Sequence, residues 1–342
     1  MKRIVNKVRR KKPEQPASRI TNDTVAEHRE EVLKGARKYI YPLEHSKHRL
    51  VVISITIFLV ALVAFFSYCV VSLYKLKSTS TFLYKVTKVV PFPIARIGSD
   101  FVAYENYLFE INHYTHYYDK QQSLDFESEA GKKQLDEFKK RALEKVIYNA
   151  YIAKLAEKNS ISVSNQELDD QITIVKKQNR LGGNDKEFEA VLKDYWGWSV
   201  NDFRRSLKDQ LLAQKVVSHL DTDSHDRANV ALAQLKNNKD FASLAKEISE
   251  DPATKENGGE YGFLIDKNNR DISPRTVDAL FKLKPGEYSE IVDTGYGLEI
   301  IKNIETKGNQ IRAAHIYFSF KDANQYVNDL KEQDPTRAYI TL

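Results

Sequence analysis

The sequence predicts an α+β protein carried on a single membrane-crossing helix, and three observations predict it. Residues 50–74 read LVVISITIFLVALVAFFSYCVVSLY, 25 positions without a charge. Residues 99–219 hold no proline and repeat their apolar side chains at helical spacing. Beyond His219, glycine pairs and short β-branched runs take over, which is the pattern of a small mixed domain. With 342 residues, 42% of them hydrophobic and 29% charged, the chain has material for two or three domains and is neither collagen-like nor compositionally disordered.

The formal charge of +6 belongs to one end. Of 53 Lys and Arg, 14 fall in residues 1–49 against 6 acids, leaving 39 against 41 from Leu50 onward. A basic stretch beside an apolar run, here KRIVNKVRRKK at 2–12, is a lipid-associated topology signal, and nucleic acid is not an expected partner. At about 1.5 Å per residue the uncharged run makes roughly 37 Å of helix, enough to cross a hydrocarbon core of about 30 Å with some tilt. A core helix would be shorter and carry a polar stripe, and a cleaved signal peptide would not be preceded by 49 residues. The bias of Lys and Arg keeps the N-terminal flank in the cytoplasm and places the larger C-terminal part outside. The one cysteine, Cys69, excludes an intrachain disulfide framework and a multi-cysteine zinc site.

Helical stripes follow in order: Leu143, Val146, Ile147, Ala150 and Leu155, then Leu168, Ile172 and Val175, then Phe203, Leu207 and Leu211. Ser164-x-x-Glu167 has the capping-box spacing, and Ser199-x-x-Asp202 opens the third stripe with an N-cap serine and an acid in the first turn. The run from Arg180 through Gly182 and Gly183 to Asn184 breaks one helix from the next. His113, His116 and Asp119 share a helical face and would suit a metal, but five nearby tyrosines make an aromatic packing helix the simpler reading. Trp196 and Trp198, flanking Gly197, read as packing residues or as an exposed aromatic patch for an unfolded chain.

In the last part, FASLAKEISEDPATKENGGEYGFL and DALFKLKPGEYSEIVDTGYGLEIIK resemble the parvulin family of peptidyl-prolyl isomerases, with the family's sub-motifs in order over about 85 residues. The helical stretches RALEKVIYNAYIAKLAEKNSISVSNQELDDQI and SVNDFRRSLKDQLLAQKVV are similar to the N-terminal chaperone domain of SurA, PrsA and PpiD-type foldases. The resemblance implies an FKBP-like α+β domain that turns X-Pro bonds. Its acid falls on Asp251 and its hydroxyl on Thr294. The proline-binding side chains fall on Tyr261, Phe263, Ile272, Thr276 and Tyr296. Two positions depart from the family: Glu299 stands where the last strand carries a histidine, and Thr276 where an aromatic ring belongs. Asp251 also suits a plain turn, accepting backbone N–H bonds.

Parvulins open with an A-H-I strand that has little room before Arg227. Ala314-His315-Ile316-Tyr317-Phe318 matches it at the other end, one short loop after the 298–304 strand. We therefore expect a permuted core whose first strand comes last, with His315 able to reach Glu299. A truncated second repeat, or a strand at His219, stays open. The period of two sets His315 with Ala313 and Tyr317 on one face and Ala314, Ile316 and Phe318 on the other.

The expected organisation is a cytoplasmic basic tail at 1–49, a transmembrane helix at 50–74, a juxtamembrane linker at 75–98, a SurA-like helical chaperone domain at 99–219, a parvulin-like domain at 220–320, and a C-terminal helix and tail at 321–342. The expected function is a membrane-anchored folding factor acting on exported polypeptides, with Asp251, Thr294, His315 and Glu299 as catalytic candidates. Whether isomerisation survives Glu299 is left open, and no cofactor or metal is called for. The alternative is a non-catalytic scaffold docking a cell-surface partner. No H-E-x-x-H, G-x-S-x-G or Walker sequence supports a hydrolase or nucleotide enzyme.

Overall fold

The computed structural model describes residues 21–40, 43–178 and 184–342. The basic run at 2–12 and most of the 180–184 breaker lie outside the described residues. The chain falls into two units, Met1–Val71 and Ser72–Leu342. The first holds helix α1 (Asn22–Ile40) and helix α2 (Leu43–Val70), which runs into a π-helical turn at Val71–Lys75. The segment His48–Lys75, with a mean hydropathy of 2.9, is long and apolar enough to cross a membrane by length and composition.

The second unit begins with α3 (Thr81–Thr87), β1 (Pro93–Ile97) and β2 (Asp100–Ala103). Residues 75–98, read from the sequence as a linker, thus contribute folded elements. Strand β1 lies centrally in a three-stranded sheet, between β2 and β7 (Thr336–Ala338), which arrives from the C-terminal tail. Pro93 is tolerated because it opens its strand. Tyr151 ties the same region down, its hydroxyl donating to the Asp334 carbonyl at 2.7 Å.

Five helices build the helical module: α4 (Tyr104–Gln122), α5 (Glu129–Lys158), α6 (Asn165–Gln178), α7 (Asp185–Trp196) and α8 (Val200–Leu220). The capping box expected at Ser164 forms, and the N-cap expected at Ser199 proves to be a second one. The Ser164 N–H donates to Glu167 at 2.8 Å and the Glu167 N–H returns to Ser164 Oγ at 3.2 Å, while Ser199 and Asp202 make the same exchange at 2.9 and 3.2 Å. The second and third stripes meet, since Leu168, Leu207 and Leu211 share one core with Ile172 and Phe203 against it. Gly197 ends α7 at φ +66 and sits so close to the His116 ring that only glycine fits. His113 and His116 are absorbed by packing: the His113 ring lies 4.3 Å from Trp198 and 4.8 Å from Trp196, and His116 Nε2 bonds the Asp194 carbonyl at 2.9 Å.

The mixed module comprises α9 (Thr222–Lys236), α10 (Phe241–Ile248), β3 (Glu260–Asp266), α11 (Pro274–Leu280), β4 (Val292–Asp293), β5 (Gly297–Lys307) and β6 (Gln310–Ser319), followed by α12 (Ala323–Gln333). Its sheet runs β3-β6-β5-β4, with β5 and β6 an antiparallel hairpin that sets Ile301 opposite His315. The strand that comes last in sequence is therefore central, as the permuted core requires, and His219 lies inside α8 rather than in a strand. The alternation of β6 separates two cores. Ala314, Ile316 and Phe318 pack with Leu298, Ile300 and the helices α9 and α10. Ala313 packs with Ile301, Ile311 and residues of α11 on the opposite face.

Candidate functional site

The face of the sheet that carries α11 also carries His315 and Glu299. In the β5–β6 register Glu299 pairs with Tyr317 and Ile301 with His315, so the two side chains are diagonal neighbours on one face. Glu299 Oε1 lies 3.3 Å from His315 Nδ1. The remaining contacts come from loops that close on this strand. Ser249 and Glu250, just after α10, follow the edge of β6, with the Glu250 N–H donating to the Tyr317 carbonyl at 2.8 Å. The next residue, Asp251, thereby brings Oδ2 to 3.0 Å from His315 Nε2.

The Gly-Gly loop makes the opposite approach possible. The His315 N–H donates to the Gly259 carbonyl at 2.8 Å, and a Cβ on Gly259, which sits at φ +83, would meet the His315 carbonyl oxygen at 2.1 Å. Strand β3 then delivers Tyr261, whose hydroxyl lies 3.0 Å from His315 Nδ1 and whose ring centroid lies 4.4 Å from the imidazole. Thr254, which the sequence reading did not single out, completes the cluster: its hydroxyl donates to Asp251 Oδ2 at 2.5 Å and lies 2.9 Å from His315 Nε2. The i, i+3 spacing from Asp251 was the available signal for it.

Charge decides the state of the ring. Burial, the strongest influence on His315, opposes its protonation, but the Glu299 and Asp251 carboxylates together outweigh it and raise its pKa above the ordinary 6.5. For Asp251 burial is again the largest influence and works upward, yet the bonds from Thr254, His315 and the Ala253 N–H leave its carboxyl below its usual range. Tyr261 is pushed far up by burial and by the same two carboxylates and stays a neutral phenol.

The other sequence candidates do not touch the His315 ring. Thr276, expected along a proline pocket, is fully buried and presents no surface to a ligand; a hydroxyl in that position needs an acceptor, and it donates to Glu299 Oε2 at 2.6 Å. Ile272 packs against the α11 core. The Thr294 hydroxyl is committed to the Gly297 carbonyl at 3.0 Å, within the turn before β5. Phe263 is exposed, with its ring 6.0 Å from Tyr261. Tyr296, 64% exposed, instead borders a cleft of about 480 Å³ between the two modules, shared with Tyr148, Gln210, Val217 and Phe320.

The arrangement is thus a buried imidazole between two carboxylates, reaching the surface through Asp251, Tyr261 and Phe263. Comparison with known proteins identifies the two modules. A family model for the SurA-like N-terminal domain matches residues 44–217, and one for the PPIC-type PPIASE (rotamase) domain matches residues 211–305. The second match ends before β6. The protein named Foldase protein PrsA from Lacticaseibacillus paracasei is 32% identical over 213 residues, covering 53% of this chain and 69% of that one. Its namesake from Lactococcus lactis subsp. cremoris gives the same figures. The one from Clostridium botulinum strain Langeland is 28% identical over 51% of this chain, which spans only 62% of that relative's length. With half of its length in the SurA-like match and an isomerase-domain match directly behind it, this chain belongs to the PrsA-type foldases, which join a SurA-like domain to a PPIC-type peptidyl-prolyl isomerase domain.

Proposed function

We propose that the protein is a membrane-anchored foldase that isomerises X-Pro bonds in exported polypeptides. The observation that carries this reading is the convergence of Asp251 and His315, 64 residues apart in sequence, into one charge-assisted contact beneath the Tyr261–Phe263 surface. Rotation about an X-Pro bond costs about 18–20 kcal/mol because the twisted amide loses its resonance. No bond need break. A site works by binding the twisted amide better than either planar isomer, with an apolar surface for the ring and polar groups tuned to the rotating carbonyl. Tyr261 and Phe263 supply the former, and Asp251 with the imidazolium behind it the latter. The cleft bordered by Tyr148, Tyr296 and Phe320 supports a cradle role for the helical module.

A cis-Pro tetrapeptide assay tests the chemistry. The wild-type chain accelerates isomerisation and Asp251→Ala loses that acceleration; a wild-type rate equal to the blank leaves only a binder. The His48–Lys75 helix and the basic N-terminal flank support an N-in anchor. Protease added to intact cells then removes the C-terminal part and spares the N-terminal stub. The burial of Thr276, with no aromatic ring in its place, favours a second reading in which the module holds clients without isomerising them. Suppression of client aggregation by an Asp251→Ala variant at the wild-type level separates holding from catalysis.

A further inference from the structure

We propose that Thr276 and Glu299 act as one positioning unit for His315, an anchored carboxylate replacing the second histidine of the parvulin pattern. The two positions at which the sequence departs from that pattern touch: Thr276 Oγ1 donates to Glu299 Oε2 at 2.6 Å. Either change alone would be costly. Glu299 is 8% exposed and Thr276 not at all, so a lone glutamate would be a poorly solvated charge and a lone threonine a hydroxyl without an acceptor. Together each satisfies the other, and the two departures are one compensated exchange.

The exchange changes what the imidazole can be. With Oε2 held by Thr276, Glu299 Oε1 remains for His315 Nδ1 at 3.3 Å. On the other nitrogen stand Asp251 Oδ2 at 3.0 Å and Thr254 Oγ1 at 2.9 Å, and the Thr254 proton is already given to Asp251. Ionised carboxylates only accept, so the Asp251 and Glu299 contacts are both favourable only when both ring nitrogens carry a proton, and the Tyr261 hydroxyl, 3.0 Å from Nδ1, then accepts as well. A histidine at 299 could donate or accept and would let His315 be neutral; a carboxylate cannot donate. The groups facing His315 are Asp251 from the loop after α10, Glu299 from β5, Tyr261 from β3 and Tyr317 along β6, whose ring lies 6.3 Å away. Burial and the same carboxylates push both tyrosines up, so they stay neutral and the two carboxylates are the charged groups that offset the ring's burial. Thr276 and Glu299 touch no substrate in this scheme. They act through His315, whose imidazolium form they favour.

This inference rests on the isomerase reading only for its consequence, and the test keeps the two apart. The full chain, solubilised in detergent and labelled at its histidines with carbon-13, is titrated by NMR, and the His315 signal is assigned from a His315→Gln variant. In the wild type His315 titrates above 6.5. Glu299→Gln and Thr276→Val both lower it, Thr276→Ser leaves it at the wild-type value, and the double variant lies no lower than Glu299→Gln alone, because the hydroxyl works only through the carboxylate. An unmoved titration in Glu299→Gln, which keeps the side chain's size, overturns the proposal. So does a Thr276→Val shift that adds in full to that of Glu299→Gln. In the tetrapeptide assay, activity falls on the alkaline side where His315 deprotonates, and that fall moves to lower pH in Glu299→Gln. Absence of any wild-type acceleration rejects the isomerase reading alone, since the titration needs no substrate.

Discussion

Replacing Gly259 by alanine tests how the site is held together. The residue sits at φ +83, where a side chain costs about 1–3 kcal/mol. An added Cβ would also lie 2.1 Å from the His315 carbonyl oxygen, a backbone atom that cannot swing aside. Relief needs the loop to retreat by about 1 Å, which breaks the bond from the His315 N–H to the Gly259 carbonyl, worth about 0.5–1.5 kcal/mol, and loosens a charge-assisted bond of His315, worth about 1.5–3 kcal/mol. Gly262 is the control: it has φ +80 and nothing within 4 Å of an added Cβ, so Gly262→Ala bears the backbone strain alone. Gly259→Ala is therefore expected to be the less stable of the two by about 2–4 kcal/mol. Urea unfolding of the solubilised full chain, followed by tyrosine circular dichroism, measures both. Equal losses for the two variants would refute the claim that β6 is clamped by this close approach.

Three further outcomes follow from the contacts described. Ser199→Ala removes one half of the capping box at the start of α8 and is expected to cost about 1 kcal/mol, read from the urea midpoint; an unchanged midpoint argues against a capping role. Lys145→Met strips Glu110, whose side chain is 5% exposed, of its 2.8 Å ammonium partner and should cost about 1–3 kcal/mol, with Glu110→Gln in the same background recovering part of the loss. His315 has a raised pKa, so its contribution to stability is complete below its unfolded value of 6.5 and disappears as pH climbs through the folded one; Asp251 is lowered, so its contribution is complete above 3.8 and disappears as pH falls through its folded value. The stability gap between wild type and His315→Gln should therefore narrow on the alkaline side, and a gap that stays constant between about pH 6 and 9 would contradict this.

Much of the architecture was legible in the chain because its signals are local. Helix α2 follows from 25 uncharged residues, and the capping boxes from serine–acid pairs three residues apart. The permuted strand could be read because His315 carries a pattern of its own and a short loop joins it to β5. The roles of particular side chains were less accessible. Thr276 looked like a missing pocket wall and is a buried partner of Glu299; Thr294 looked like a catalytic hydroxyl and caps a turn; Thr254 was passed over and bridges Asp251 to His315.

By itself the amino-acid order determined the apolar helix, the helical module and the strand content, since periodicity and capping act within a few residues. Only the tertiary structure decided that β7 closes on β1 across more than 230 residues, and that the two departures at 276 and 299 meet. The physical reason is the same in both cases. A three-residue strand has no periodic signature, and a single buried hydroxyl or carboxylate reveals its partner only when the backbone has brought a complementary group within hydrogen-bonding distance.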